Sequence, residues 1–342
     1  MAIALGVYVD GGGHVSGHMQ DVALLPEIEH VLMTGSEQAR EIAAAMEKAE
    51  YVDDVAAVVG NSSLPAVMVL ANTRDAAEVT LAAVEAGQWV YAEKPGARDA
   101  AGMEAIAAAC ARTGAHFTPC YARRTFPETR EVKRLLGAGA IGEVWSFQAN
   151  WIASQAASRG VDSWFFSREM AGGGILHWLG CHWIDLLSFV TGRRVEAVGA
   201  MLATAEERID VEDVACVTLR LEGGAIGTIR CGYLLDPFEG YDEYQLMTAW
   251  EGSRGSLALF PGKPTKLRLR TRAEGFCAAG ETQEIALSHQ RAGGYALGLL
   301  RGFIEAVETG GSPPVTEDDA LYVLRVIKAA HEAARTGQEQ RL

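Results

Sequence analysis

Roughly the first third of the chain alternates short apolar runs with alanine-rich amphipathic runs, and few architectures satisfy that order. Residues 3–9, 28–33, 66–70, 89–92 and 116–120 are apolar and of strand length. Between them, residues 16–25, 38–48, 76–86 and 100–113 have helical composition and spacing. Asp99 is positioned to cap the last of these helices, and Gly87 and Gly114 to stop two of them. A strand followed by a helix of about a dozen residues, repeated, predicts a parallel, doubly wound α/β sheet.

The pattern changes after Tyr121. A charged helix over 127–136 precedes a strand over 142–151, and Gly172-Gly173-Gly174 leads into a helix over 175–190. Strands over 195–202, 214–221, 225–233, 244–250, 256–259 and 267–271 then follow without helices between them, which predicts an antiparallel sheet. Helices over 295–308 and 317–336 close the chain. Two domains are expected, 1–121 and 122–342, and 342 residues suffice to give each a core.

Composition narrows the partners. Thirty Lys and Arg stand against 44 Asp and Glu, a net charge of −14 that repels phosphate backbones and anionic lipid. Neither a nucleic-acid nor a membrane partner is expected. The first apolar run is broken by Asp10 and three glycines, so it reads as a buried strand and not as a signal peptide. Six cysteines without a C-x-x-C pair fit a reducing, cytoplasmic setting.

The chemistry-bearing motifs sit at strand ends. Gly11-Gly12-Gly13-His14-Val15-Ser16 joins the first strand to the first helix. Glycines there permit a sharp turn and a close approach to a pyrophosphate, which the helix N-terminus attracts. Ser16 stands where a third glycine is usual. The second strand ends in Met33-Thr34-Gly35-Ser36-Glu37, with no acid directly at its end to hold a ribose 2′-hydroxyl. Gly35 leaves space, Ser36 offers a hydroxyl and Arg40 a positive charge to a 2′-phosphate, so NADP is the expected cofactor. NAD, with Glu37 reaching the ribose, is the alternative. The fourth strand ends in Glu93-Lys94-Pro95, and a lysine at that edge of a parallel sheet faces the ligand.

These elements resemble the Gfo/Idh/MocA family of sugar and cyclitol oxidoreductases. The resemblance is carried by Gly11-Gly12-Gly13, by the run from Ala83 through Glu93-Lys94-Pro95, and by Gly137-Ala138-Gly139-Ala140-Ile141-Gly142-Glu143-Val144. It continues through Gly172-Gly173-Gly174 with His182 and Asp185, and Pro314-Val315-Thr316-Glu317-Asp318-Asp319-Ala320. It implies an N-terminal Rossmann doubly wound parallel sheet and a C-terminal α+β domain on an open-faced, mainly antiparallel sheet. It also implies that Lys94 contacts substrate and nicotinamide and that His182 exchanges the hydroxyl proton. A histidine suits that role, because oxidising a carbinol needs a proton acceptor near neutral pH.

The expected cofactor set is Gly11, Gly13, His14, Val15, Ser16, Thr34, Gly35, Ser36, Arg40, Ala71, Asn72, Glu93 and Lys94. Tyr121, Arg123, Trp164, Trp178 and Asp185 are the expected substrate contacts. Trp178 replaces an aspartate common in the family, and Ala76 a histidine, so an aromatic platform is expected to meet the sugar. The open-faced sheet predicts a homodimer or homotetramer. Two other readings compete: a nucleotide-sensing regulator on the same fold, and a metal enzyme using His177, Cys181, His182 and Asp185. The presence of both Lys94 and His182 favours the dehydrogenase, and no metal is expected.

Overall fold

The computed structural model describes residues 2–233, 244–262, 264–278, 280–285, 287 and 294–342. The first elements are β1 (Ile3–Asp10), α1 (Val15–Leu24), β2 (Ile28–Gly35), α2 (Glu37–Ala45), β3 (Ala49–Tyr51), β4 (Ala66–Ala71), α3 (Thr73–Glu85), β5 (Trp89–Ala92), α4 (Ala100–Thr113) and β6 (Phe117–Pro119). Then come α5 (Pro127–Gly137), β7 (Val144–Ala153), α6 (Gln155–Arg159), α7 (Arg168–Ala171), α8 (Cys181–Thr191), β8 (Val195–Ala203), β9 (Val214–Leu221) and β10 (Ile226–Gly232). The last are β11 (Tyr244–Gly252), β12 (Gly255–Phe260), β13 (Lys266–Thr271), β14 (Thr282–Ile285), α9 (Leu297–Thr309), α10 (Glu317–Thr336) and β15 (Gln340–Arg341).

One compact unit comprises Met1–Ala122, Glu169–Gly172 and Gln290–Leu324. Its six strands are all parallel, in the order β3-β2-β1-β4-β5-β6. Every residue of β4 is buried, as a central strand covered on both faces requires. The strand order reverses between β1 and β4, the crevice where open α/β sheets bind ligands. Capping follows the sequence: Asp99 accepts from the Gly102 amide at the start of α4, and Gly114 closes it in the left-handed region.

Two features of this unit are not visible in the residue pattern. β3 is only three residues long, too short to show a periodicity, and the helix expected over 38–48 ends at Ala45 to make room for it. The second is α9, which returns from the far end of the chain. Its Phe303 packs on Tyr91 of β5, and Asp21 of α1 accepts from the amides of Tyr295 and Ala296 just before it.

The other unit comprises Arg123–Arg168, Gly173–His289 and Arg325–Leu342. Its nine-stranded sheet runs β14-β13-β12-β11-β7-β10-β9-β8-β15, antiparallel except for the parallel pair β10–β7. Burial alternates along β9: Ala215, Val217, Leu219 and Leu221 point inward, Cys216, Thr218 and Arg220 outward. Against the inner face, Trp183, Leu186 and Leu187 of α8 adjoin Phe147, Ala149, Ile229 and Trp250. On the outer face the register sets Met201, Cys216, Arg230, Asn150 and Met247 in one row across five strands. Met201 is 81% exposed and Ile226 of β10 52%. Among the described residues no helix is long and apolar enough to cross a membrane.

Candidate active site

The first half-site is built from the carboxyl ends of the parallel strands. β1 ends at the fingerprint loop, where Gly11 has φ +67°. Gly12 is fixed by a close approach: a Cβ there would lie 2.4 Å from the Leu70 carbonyl carbon of β4. The loop therefore runs bare-backboned against β4 and delivers the N-terminus of α1 to the crevice. These features fit a dinucleotide pyrophosphate. Gly12 is absent from the set expected from sequence, which took its neighbours Gly11 and Gly13. His14 holds a left-handed φ of 55° without being glycine, and its ring stacks on Tyr295 with centroids 4.7 Å apart.

At the end of β2, Gly35 has φ +118°, and a Cβ there would come within 2.2 Å of the Val9 carbonyl oxygen. The lack of an acid at this position is therefore a backbone requirement, and an aspartate introduced there disrupts the strand end before it meets any cofactor. The Ser36 hydroxyl donates to that same carbonyl (3.1 Å), so its proton is already committed. The cation of the expected set at this strand end is Arg40. Its guanidinium lies over the Tyr51 ring at 4.2 Å and donates to Asp53 (2.6 Å). Tyr51 in turn donates to the Gly35 carbonyl (2.9 Å). Thr34 is buried at the strand end, Val15 and Ser16 open α1, and Ala71 forms a bridge with Gly11. Asn72 caps α3 by accepting from the Asp75 amide and donating to the Asp75 carboxylate.

Glu93 and Lys94 follow β5 and are both buried, Lys94 to 3% exposure. His18 lies 2.7 Å from Glu93 Oε1, and His14 Nδ1 lies 3.2 Å from the same oxygen. Burial alone would raise the Glu93 carboxyl, but His14 and His18 hold it well below the usual carboxylate range. For His18 burial works downward, and Cys120 and Glu93 overcome it, lifting the imidazole to about 10. Tyr121, expected to touch substrate, is fully buried at the end of β6.

The second half-site centres on the glycine-led helix. Glu212 anchors its entry, accepting from the Gly174 amide through its carboxylate (2.9 Å) and from the Ile175 amide through its carbonyl (2.8 Å). The helix expected over 175–190 is not uniform. Residues Leu176–Gly180 form a π-helical turn and α8 continues from Cys181. That turn breaks the α-helical spacing on which a shared metal face for His177 and Cys181 depended. His182 is 6% exposed and packs on Trp151, with ring centroids 5.4 Å apart. The Arg123 guanidinium lies over the same indole, 4.2 Å from the Trp151 ring centroid, and 5.3 Å from that of Trp183.

Asp185, expected to orient the imidazole or meet substrate, forms an ion pair with Arg124. The guanidinium Nε donates to both carboxylate oxygens (3.0 and 3.1 Å) and Nη2 to Oδ1 (2.5 Å). Trp164 and Trp178 do come together, 5.3 Å apart edge to face, with Phe165 between them at 4.0 and 4.5 Å. Trp164 is half-buried and Trp178 buried, and Arg159 stands 3.9 Å above Phe165.

Both halves have recognisable sequence counterparts. An oxidoreductase family with an NAD-binding Rossmann fold matches residues 10–121, and the GFO/IDH/MocA C-terminal domain matches residues 129–258. The chain belongs to the GFO/IDH/MocA family of oxidoreductases. Among relatives of this GFO/IDH/MocA member, a 1,5-anhydro-D-fructose reductase of Ensifer adhaerens is 26% identical, over 91% of this chain and 90% of that one. A scyllo-inositol 2-dehydrogenase (NADP(+)) of Bacillus subtilis is 23% identical over 95% and 91%. The match with levoglucosan dehydrogenase of Pseudarthrobacter phenanthrenivorans reaches 29% identity but spans 45% of either chain. In fold, the chain resembles a levoglucosan dehydrogenase in complex with NADH and levoglucosan, with TM-score 0.87 and 21% identity over 100% and 99% of the two chains.

Several residues of this GFO/IDH/MocA chain escape a reading by motif. Tyr295 reaches the fingerprint from a distant segment that offers no local signal. Trp151 and Arg124 are an ordinary strand aromatic and an ordinary helix-start cation until the fold sets them on His182 and Asp185. His18, one turn beyond the fingerprint, belongs to no motif and meets Glu93 only through the fold.

Proposed function

We infer that the chain is an NADP-dependent oxidoreductase interconverting a hydroxyl and a ketone on a sugar, sugar derivative or cyclitol by hydride transfer. The observation that carries this reading is the buried Lys94 at the carboxyl end of β5, in the sheet whose fingerprint loop is pared to backbone by Gly12. The relatives' names, which include sugar and inositol dehydrogenases, support the substrate class. The bound cofactor supplies the hydride acceptor in the oxidative direction. Lys94 polarises the reacting oxygen with its ammonium group, and His182 takes the hydroxyl proton at its imidazole. Trp151 fixes the plane of that imidazole by packing on it. Trp164, with Trp178 behind it, offers an aromatic face to the C–H side of a ring. Asp185 is left out of the substrate set, because its carboxylate serves Arg124.

Preference for NADP rests on Arg40 over Tyr51. In a fluorescence titration NADPH is expected to bind about tenfold more tightly than NADH, the worth of one charge-assisted phosphate contact of roughly 1.4 kcal/mol. Arg40→Ala should erase the difference while leaving NADH unchanged. Equal affinities in the parent protein, or a preference for NADH, contradict the assignment. Positive titration followed by a screen of ketosugars and cyclitols tests the reaction itself.

The outer face of the nine-stranded sheet, with Met201 and Ile226 exposed, is the expected self-association surface. Light scattering at micromolar concentration should give a dimer or tetramer, and Met201→Lys should weaken it. A monodisperse monomer removes this assignment.

A further inference from the structure

We propose that His18, Glu93 and Cys120 form a binding site for a thiophilic divalent cation of the zinc type. Three kinds of donor are gathered there from three segments: an imidazole from α1, a carboxylate just after β5 and a thiol just after β6. One ligand atom from each lies within 4.8 Å of the others. His18 and Cys120 are wholly buried and Glu93 nearly so. Imidazole, thiolate and carboxylate together are the donor set of protein zinc sites, with bonds of about 2.0–2.3 Å. Ligand atoms already this close need only small side-chain rotations to surround one ion.

Two further observations point to a ligand. Glu93 Oε2 is buried and has no hydrogen-bond partner among the described residues, although a carboxylate oxygen normally has one. The surroundings also resemble an outer shell. The Tyr91 hydroxyl donates to Cys120 Sγ (3.2 Å), and His14 Nδ1 lies 3.2 Å from Glu93 Oε1. A bound ion would staple α1 to the ends of β5 and β6, the segments that carry the fingerprint and Lys94. Its role is structural, and it takes no part in the hydride-transfer reading: cation binding and cofactor binding are measured separately.

The test uses the full chain, stripped of metal with a chelator under reducing conditions. Cobalt(II) is then added both to the folded protein and during refolding, because the site is buried. The expected result is a thiolate-to-cobalt charge-transfer band in the near ultraviolet, saturating at one equivalent and displaced by zinc. Cys120→Ser should abolish the band and weaken zinc at least about 100-fold, above the effect of losing an outer-shell partner. A protein with Cys216→Ser and Cys277→Ser, the two cysteines that reach solvent, should keep the band. Zinc should raise the melting midpoint of the parent and not of Cys120→Ser. Should Cys120→Ser fail to fold, Cys120→Ala and Glu93→Gln serve in its place. Absence of the band by both routes in the parent overturns the site, as does a band that persists without Cys120 or disappears with Cys216 and Cys277.

Discussion

Alanine at Lys94 or at His182 should each lower kcat by about 10²–10⁴-fold, the usual scale for groups that polarise a reacting oxygen or carry its proton. The two variants should differ in what they spare. His182→Ala should leave NADPH affinity within a few-fold of the parent, because His182 belongs to the glycine-led helix and not to the Rossmann sheet. Lys94→Ala is expected to lose some cofactor affinity as well, since Lys94 is buried at the carboxyl edge of the Rossmann sheet. In the parent, kcat/KM for oxidation should fall on the acid side, where a protonated imidazole can no longer accept. That limb should vanish in His182→Ala. Near-normal turnover with an unchanged pH profile in His182→Ala would take the proton role away from this residue and pass it to Lys94 or water.

The second large effect concerns stability. Arg124 and Asp185 form an ion pair whose side chains are 10% and 1% exposed, so removing either partner strands a charge out of water. Asp185→Ala and Arg124→Ala should each destabilise the unit by about 3–5 kcal/mol, the range for breaking a buried pair. Asp185→Asn should cost nearly as much, because the shape is kept while the charge is not. Replacing both with apolar residues of similar volume, Arg124→Met with Asp185→Leu, should recover most of the loss. Denaturant unfolding of the parent, Arg124→Met, Asp185→Leu and their combination forms a double-mutant cycle. Single variants within about 0.5 kcal/mol of the parent would show that the pair adds nothing. Because Asp185 lies one turn beyond His182, kcat should fall in the single variants and return in the double one.

The alternation of strands and helices made the parallel sheet legible, because burial on both faces leaves continuous apolar runs such as 66–70. The switch to strands without helices made the second sheet legible in the same way. Contributions over long range were not. α9 belongs with the N-terminal sheet through Phe303 and Tyr91, a contact between residues with no local signature. The π-turn at Leu176–Gly180 is invisible in a run that reads as helix throughout. At the candidate site, Lys94 and His182 are singled out by sequence because their motifs are local: Glu-Lys-Pro at a strand end and a glycine-led helix. Spacing could not show that Gly12 is the glycine that β4, far along the chain, requires, nor that Arg124 is a partner of Asp185. The cluster of His18, Glu93 and Cys120 has no metal-ligand spacing in sequence at all and exists only once α1 meets the ends of β5 and β6.

The central claim is that the chain moves hydride between a nicotinamide cofactor and a carbinol carbon of a sugar or cyclitol. The direct measurement is NADPH formation, followed by absorbance, with the purified full chain, NADP+ and a panel of aldoses, anhydrosugars and inositols, with Lys94→Ala run in parallel. The account predicts saturable turnover on at least one panel member that Lys94→Ala reduces by about 10²-fold or more. Tight NADPH binding with no turnover of any sugar or cyclitol in either direction, or turnover equal in the parent and Lys94→Ala, would contradict it.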